Sequence, residues 1–196
     1  WRFFQEWALR RDRDVLALRS TFVAGVSNQP PEPTPGLERQ PPRRYRLWIG
    51  QGQAAFAFGD AGAQLVVRAT VQRSDDNLVP LERLSVGGRH AGRGYRENQL
   101  VRDGGWAAGI EWQQPIHSGD DGRTRVTLVP FIDAGAARDR GGENARLAAV
   151  GLGLTWAWRA LEGELFAGKR LYRRSADTNG DLQDHGIHFL LRWRAF

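Results

Sequence analysis

The run Ser85–Gly105, SVGGRHAGRGYRENQLVRDGG, contains the side chains with the clearest chemical capacity in this chain. It is rich in glycine and charge, and Arg93, Gly94 and Tyr95 stand at its centre. A guanidinium is planar and can donate two parallel hydrogen bonds to a carboxylate, which an ammonium group cannot copy. The neighbouring glycine permits a tight reversal, and the tyrosine can pack its ring with its hydroxyl in water. The run therefore predicts a clamp onto a carboxylate.

Reaction centres and metal sites are not indicated. The chain has no Cys, and its Ser, His and Asp residues are scattered over predicted loops, so no nucleophile arrangement is visible. Asp177, Asn179 and Asp181 have the opening spacing of a calcium loop, but the turn glycine and the closing glutamate are missing. His185 and His188 would point to opposite faces of a strand. We predict no catalytic residue, no metal and no cofactor.

The elements that position these residues are strands. Apolar and polar residues alternate with period two along nearly the whole chain, and no run of about 18 apolar residues exists. In Arg125–Ala137, for example, this alternation points Phe131 and Asp133 inward and Ile132 outward. Nine strands are predicted, at Arg2–Leu9, Val15–Val26, Tyr45–Phe58, Ala63–Arg73, Trp106–Gln113, Arg125–Ala137, Ala145–Trp158, Leu161–Leu171 and Ile187–Phe196.

The connections alternate between short and long, which is typical of up-and-down outer-membrane barrels. The short ones are Arg10–Asp14, Gly59–Gly62 and Arg159–Ala160, with His117–Gly122 intermediate. The long ones are Ser27–Arg44, Ser74–Gly105, Arg138–Asn144 and Tyr172–Gly186. Trp and Tyr lie near strand ends, as in the aromatic girdles of membrane barrels.

The net charge of +6 comes from 28 basic residues, of which only Lys169 is not arginine. A basic chain can bind nucleic acid. Here the arginines are spread over strands and loops and are offset by 22 acids, which favours lumen and loop charge. A basic soluble β-protein that binds nucleic acid is the alternative from a different class, and we predict no nucleic-acid partner.

Several stretches of the sequence also resemble a known family of proteins. Leu78–Trp112, LVPLERLSVGGRHAGRGYRENQLVRDGGWAAGIEW, closely resembles the outer-membrane transporters of two-partner secretion, the haemolysin-activator type, within the superfamily that includes the barrel-assembly proteins. Further matches are DVLALRSTF, FIDAGAA, LAAVGLGLTW and GDLQDHGIHFLLRW.

This resemblance implies a sixteen-stranded transmembrane β-barrel. The chain, residues 1–196, would supply its last nine strands, and the early strands, a plug helix and N-terminal periplasmic domains would be absent. Alone it would form an open, curved, all-β sheet, since such a fragment leaves two unpaired edges. Phe196 would be the terminal aromatic signal of such barrels.

The resemblance also assigns the motif residues. Ser85–Gly105 would be the family's lid loop, which folds into the lumen and carries V-R-G-Y/F at its tip, here with Gly92 for valine. That glycine is expected to cost packing and to loosen the tip. The wall motif F-x-D-x-G would be Phe131, Asp133 and Gly135, so Asp133 would accept from Arg93. The hinge candidates are Gly87, Gly88, Gly104 and Gly105.

The function implied is export, not catalysis. The transporter would pass one large unfolded partner, an adhesin or haemolysin, across the bacterial outer membrane without ATP, and the lid loop would have to move. Outer-membrane lipid or lipopolysaccharide and the barrel-assembly machinery would be its other partners. The alternative within the superfamily is an assembly factor that inserts other barrels.

Overall fold

The computed structural model describes residues 1–26, 41–89, 92–119, 124–172 and 182–194. Eleven strands and one short 3-10 helix, Pro80–Glu82, make up its regular structure. The strands are β1 Arg2–Arg11, β2 Asp14–Val26, β3 Arg44–Phe58, β4 Ala63–Ser74, β5 Leu84–Val86, β6 Leu100–Arg102, β7 Gly104–Ser118, β8 Thr124–Arg138, β9 Ala145–Trp158, β10 Leu161–Arg170 and β11 Ile187–Trp193.

Nine of these strands form one antiparallel sheet in the order β1-β2-β3-β4-β7-β8-β9-β10-β11. Within this sheet the strands follow one another in chain order, with β5 and β6 left out between β4 and β7. Among the described residues, β1 and β11 form the two edges. The predicted all-β class, the nine strands and the open sheet are confirmed. The strand β7 runs to Ser118, beyond the predicted Gln113, because an irregularity between Pro115 and His117 shifts the register and lets pairing continue.

The two faces of the sheet differ in polarity. One face, here called the outer face, exposes large apolar side chains such as Ile110, Ile132 and Leu152, each about half exposed. The opposite, inner face carries Glu111 and Asp133, both buried. An apolar outer surface with a polar interior is the pattern of a membrane barrel wall. No helix in the described part of the chain is long and apolar enough to span a membrane.

The connection between β4 and β7 packs against the inner face. Its strands β5 and β6 pair with each other as a separate two-stranded sheet. Four of its apolar residues are buried in a cluster with the wall residues Ala107, Ala137, Leu147 and Ala149. These loop residues are Leu84, Val86, Tyr95 and Leu100. Composition suggested a loop that is polar throughout. The structure instead packs these four apolar residues of the lid loop against the wall.

The base of the lid loop is fixed by Asp103, which is 3% exposed. Its Oδ1 accepts hydrogen bonds from the Leu78 amide at 2.9 Å and from Arg83 Nε at 3.2 Å. The side chain of Gln72 on β4 donates to the Asp103 carbonyl at 3.1 Å. Leu78 is itself buried with Val23 and Leu47. These contacts join the start of the loop, after β4, to its end, before β7, and fix both to the sheet.

Candidate functional site

The structure places Arg93 of the lid loop against Asp133 of β8. Arg93 Nε donates to Asp133 Oδ2 at 2.9 Å and Nη2 donates to Oδ1 at 2.8 Å, so the two groups meet side by side. The Arg93 backbone amide adds a third bond, to Oδ2 at 2.8 Å. The two residues are 5% and 3% exposed. This geometry fixes both the side chain and the backbone of the loop tip to one carboxylate.

Glu111 on β7 is a second carboxylate partner that the sequence reasoning did not identify. Arg93 Nη1 donates to Glu111 Oε2 at 2.8 Å. The other oxygen, Oε1, lies 3.0 Å from Arg68 Nη1 on β4 and accepts from Gln113 Nε2 at 2.7 Å. The only signal in the sequence was its position on the polar face of its strand. A chain of alternating charge thus crosses the inner face, from Arg68 on β4 through Glu111 on β7 and Arg93 of the loop to Asp133 on β8.

Arg93 keeps its positive charge in this buried position. Burial of the guanidinium acts to lower its pKa, but hydrogen bonds and charges from Asp133 and then Glu111 outweigh burial and raise the pKa above its ordinary value. The guanidinium also lies over the rings of Phe131, 3.8 Å from the centroid, and Phe166, at 5.1 Å. Such rings attract a cation through their negative faces. Phe131, the first residue of the wall motif, therefore contacts the same cation as Asp133.

Two wall glycines make room for the loop. A Cβ on Gly135, the last motif residue, would lie 2.6 Å from Val86 Cγ1 of β5. A Cβ on Gly109, which pairs with Asp133 across the strands, would lie 2.7 Å from Asp133 Oδ1. Atoms at these separations overlap, so the glycines are needed for the loop and the carboxylate to occupy their positions. Gly109 was not predicted, because its role depends on the register between β7 and β8.

We expect Gly109→Ala to weaken the clamp, since the new methyl group must displace the Asp133 carboxylate. Losing one of its charged hydrogen bonds would cost about 1–3 kcal/mol. Limited proteolysis of the lid loop in the folded protein should become several-fold faster. Gly142→Ala is the matched control, because a Cβ there meets Asp139 only at 3.4 Å or more. Equal cleavage rates for Gly109→Ala and wild type would contradict the packing argument.

The expectation that the Tyr95 hydroxyl reaches water is wrong. Tyr95 is fully buried, and its hydroxyl oxygen lies within hydrogen-bond distance of the carbonyl oxygens of Ala148, at 2.9 Å, and Tyr172, at 2.8 Å, which share its single proton as acceptors. The amides of the same two residues donate to it at 3.3 and 3.2 Å. The hydroxyl thus bridges β9 to the segment after β10, where the Ala148 carbonyl also accepts a hydrogen bond from the Leu171 amide at 2.8 Å.

Replacing this hydroxyl should loosen the loop more than it loosens the sheet. In Tyr95→Phe, the ring keeps its packing but the bridge is lost, and each hydrogen bond removed contributes about 0.5–1.5 kcal/mol. Amide hydrogen exchange of the described loop residues 92–103 should accelerate by about tenfold, while that of β2 and β3 stays unchanged. A uniform change along the chain would instead indicate a general loss of stability.

The expectation that Gly92 costs packing at the tip is also wrong, whereas a looser tip stays a prediction. Gly92 has φ +140, is buried, and a Cβ there would lie 2.8 Å from Leu147 Cδ1. Its carbonyl accepts from the amides of Gly88, at 3.2 Å, and Tyr95, at 3.1 Å. The glycine therefore forms a tight turn against the wall. Gly94, with φ +99, would place a Cβ 3.1 Å from Ala149 Cβ.

The hinge candidates have two locations. Gly87 and Gly88 follow β5 and have positive φ, and Gly88 bridges to Gly92, so both belong to the tip turn. Gly104 and Gly105 begin β7, at the base of the loop. Of these two, Gly105 has positive φ, at +153. Their role as hinges remains a prediction. The predicted terminal signal, Phe196, lies outside the described residues, as do Asp177, Asn179 and Asp181.

Two ion pairs and one hydrogen bond to a backbone carbonyl also join the lid loop to β10 and to the segment before β11. Arg89 pairs with Glu164 on β10. Arg96 Nε donates to Asp184 Oδ1 at 2.6 Å. Arg170 Nε donates to the Gly94 carbonyl at 2.5 Å. Sequence reasoning missed these contacts, because long arginine side chains reach partners that strand parity alone does not identify.

These features together define a class of protein: a wall segment of an outer-membrane β-barrel with a loop fixed to its inner face. The sequence model described as Haemolysin secretion/activation protein ShlB/FhaC/HecB matches residues 11–156. The chain therefore belongs to this family of outer-membrane transporters, which confirms the predicted resemblance and location. No curated protein and no solved structure matches the chain.

Proposed function

We propose that this chain belongs to a translocator that exports one large partner protein, of the adhesin or haemolysin type, through the lumen of its barrel. Membership of the two-partner secretion family supports a protein transporter of the outer membrane. The observation that carries the finer proposal is the buried clamp between Arg93, Asp133 and Glu111, which fixes a loop across the inner wall. A loop in that position would occupy the route of an exported chain.

The clamp has a suitable strength for a gate. A hydrogen bond to a charged group contributes about 1.5–3 kcal/mol, and Arg93 makes several of them, but water in a lumen can take over each partner. The four charges from Arg68 to Asp133 sum to zero, so the docked state leaves no charge of the cluster without a counter-charge. The loop would therefore rest in one position and could be displaced by an entering chain.

The remaining parts of the transporter are also proposed. The edges β1 and β11 pair with no further strand among the described residues, and an open edge is untenable in lipid. We infer that early strands, a plug helix and periplasmic domains outside residues 1–196 complete the barrel and receive the partner. The barrel-assembly machinery would insert it. Folding of the partner outside the cell would supply direction without ATP.

The test is reconstituted export. The full-length transporter that contains this chain is expressed with a candidate exoprotein from the same genome in an outer-membrane host. The exoprotein in the medium should rise by about tenfold or more over an empty-vector control, while a soluble periplasmic reporter stays inside. Export of every candidate at the empty-vector level, with the barrel folded in the membrane, would refute the proposal.

A further inference from the structure

Three arginines of the outer face lie at the end of the sheet where the lid loop connects. Arg73 is near the end of β4, Arg138 is the last residue of β8, and Arg146 is the second residue of β9. All three are exposed. Strand parity puts them on the outer face, because Arg73 alternates with the buried, inner-face Gln72 and Arg146 with the buried Leu147. These three residues are called the arginine patch below.

The register brings the arginine patch together around Trp106. Ala136 of β8 pairs with both Trp106 and Arg146, so these three residues form one lateral row. Arg138 lies two residues beyond Ala136, which makes it a diagonal neighbour of Arg146 at about 7–8 Å. Gly104 pairs with Arg138, and a Cβ on that glycine would lie 3.8 Å from the Arg73 Cα. Arg73 and Arg138 therefore flank a position without a side chain, roughly 10 Å apart.

A groove of about 1100 Å³ lies over this surface, with Arg73, Trp106, Arg138 and Arg146 in its lining. Arg140 adds a fourth exposed guanidinium to the same groove. The groove is thus both wide enough for a headgroup and bordered by several cations. Its floor is formed by small wall residues, Ala134, Ala136 and Ala148 among them.

The arginine patch is not neutralised by ion pairs in the part of the chain that the structure describes. Within the described residues, its three guanidinium groups make no ion pair with a carboxylate. Asp139, which also lines the groove, is already engaged by Arg83 and Arg102. The other lining carboxylates are the buried Asp103 of the loop base and the exposed Asp75. Like charges at diagonal positions repel each other, so an anion between them would relieve the repulsion.

We propose that the arginine patch binds the phosphate groups of a diphosphorylated outer-leaflet glycolipid, lipid A. The inference requires only that the sheet lies in the outer membrane with its long connections outside, and not that export proceeds as proposed. Arginine binds phosphate through paired hydrogen bonds, and Trp106 stands at the level where aromatic residues meet headgroups. Ile110 and Ile132, exposed further along the same face, would contact the acyl chains.

The experiment measures lipid binding by the purified full-length transporter in detergent, by native mass spectrometry. The probes are diphosphoryl lipid A, monophosphoryl lipid A and phosphatidylethanolamine. Wild type should bind diphosphoryl lipid A about tenfold more tightly than the monophosphoryl form. Arg138→Gln/Arg146→Gln should weaken diphosphoryl lipid A binding by at least about tenfold and abolish that preference.

The control variant, Arg10→Gln/Arg125→Gln, removes the same charge at the opposite end of the sheet, and its affinity should stay within about twofold of wild type. Heat-modifiable mobility checks folding, and the single variant Arg73→Gln replaces the double variant if the latter does not fold. Equal affinity for the three lipids would overturn the proposal, as would full binding by the patch variants. Displacement of lipid A by millimolar inorganic phosphate would also overturn it, because the patch would then be a free-phosphate site.

Discussion

In Arg93→Ala, export of the partner should fall to less than about a tenth of wild type, while the amount of folded barrel in the membrane changes by less than about twofold. The substitution removes the bonds from Arg93 to Asp133 and Glu111. Removing one partner of a buried ion pair destabilises the folded arrangement by about 3–5 kcal/mol. Where water reaches the remaining partner, the cost is about 1–3 kcal/mol. The docked position of the loop would be destabilised by that amount, and a loss of about 1–3 kcal/mol lowers its population relative to undocked positions by about 5–150-fold. The loop would then lack the single resting position from which an entering partner displaces it, so export should fall.

The barrel should survive because its strands do not depend on Arg93. The pairs of β4 with β7 and of β7 with β8 are made by their own backbones. Export is measured as partner in the medium, and folding by heat-modifiable mobility. Arg159→Ala, in the short turn between β9 and β10, controls for loss of one arginine. If export and folded barrel fall together, Arg93 is a folding residue and the clamp has no separate part in transport.

The strands and the two faces could be predicted from the sequence because they depend on local alternation. Residues such as Ile132 and Asp133 are assigned to opposite faces by period two alone. A side chain's partner on the next strand depends on register, which alternation does not determine. Gly109 and Glu111 were therefore missed. Gly109 is identified by its pairing with Asp133, and Glu111 by its hydrogen bond from Arg93.

The path of the lid loop was harder to predict, since it depends on contacts between distant parts of the chain. Tyr95 bonds with Ala148 and Tyr172, which are 53 and 77 positions away. Composition suggested a loop held in water by one ion pair. The structure instead adds an apolar side, through Val86 and Leu100, and a carboxylate at the base, Asp103. The sequence predicted a tight reversal at Gly94, but not that Gly92 would be pressed against Leu147.

A disulfide between the lid loop and the wall should block export reversibly. The chain contains no Cys, so a pair introduced by Val86→Cys and Gly135→Cys would be the sole thiols within it. A Cβ on Gly135 would lie 2.6 Å from Val86 Cγ1. Because a carbon–carbon bond is about 1.5 Å, the two Cβ atoms are at most about 4.1 Å apart, within the reach of a disulfide. Oxidised transporter should export less than about a tenth of wild type, and a reductant should restore export.

The single variant Val86→Cys under oxidising conditions and the double variant under reducing conditions separate the lock from the effect of the substitutions, and both should export. A fully oxidised transporter that exports at the wild-type rate would show that the loop stays docked during passage. The clamp at Arg93 would then hold the loop as a fixed constriction of the lumen. Loss of export in Arg93→Ala would in that case result from a misplaced loop, and the loop would not act as a gate.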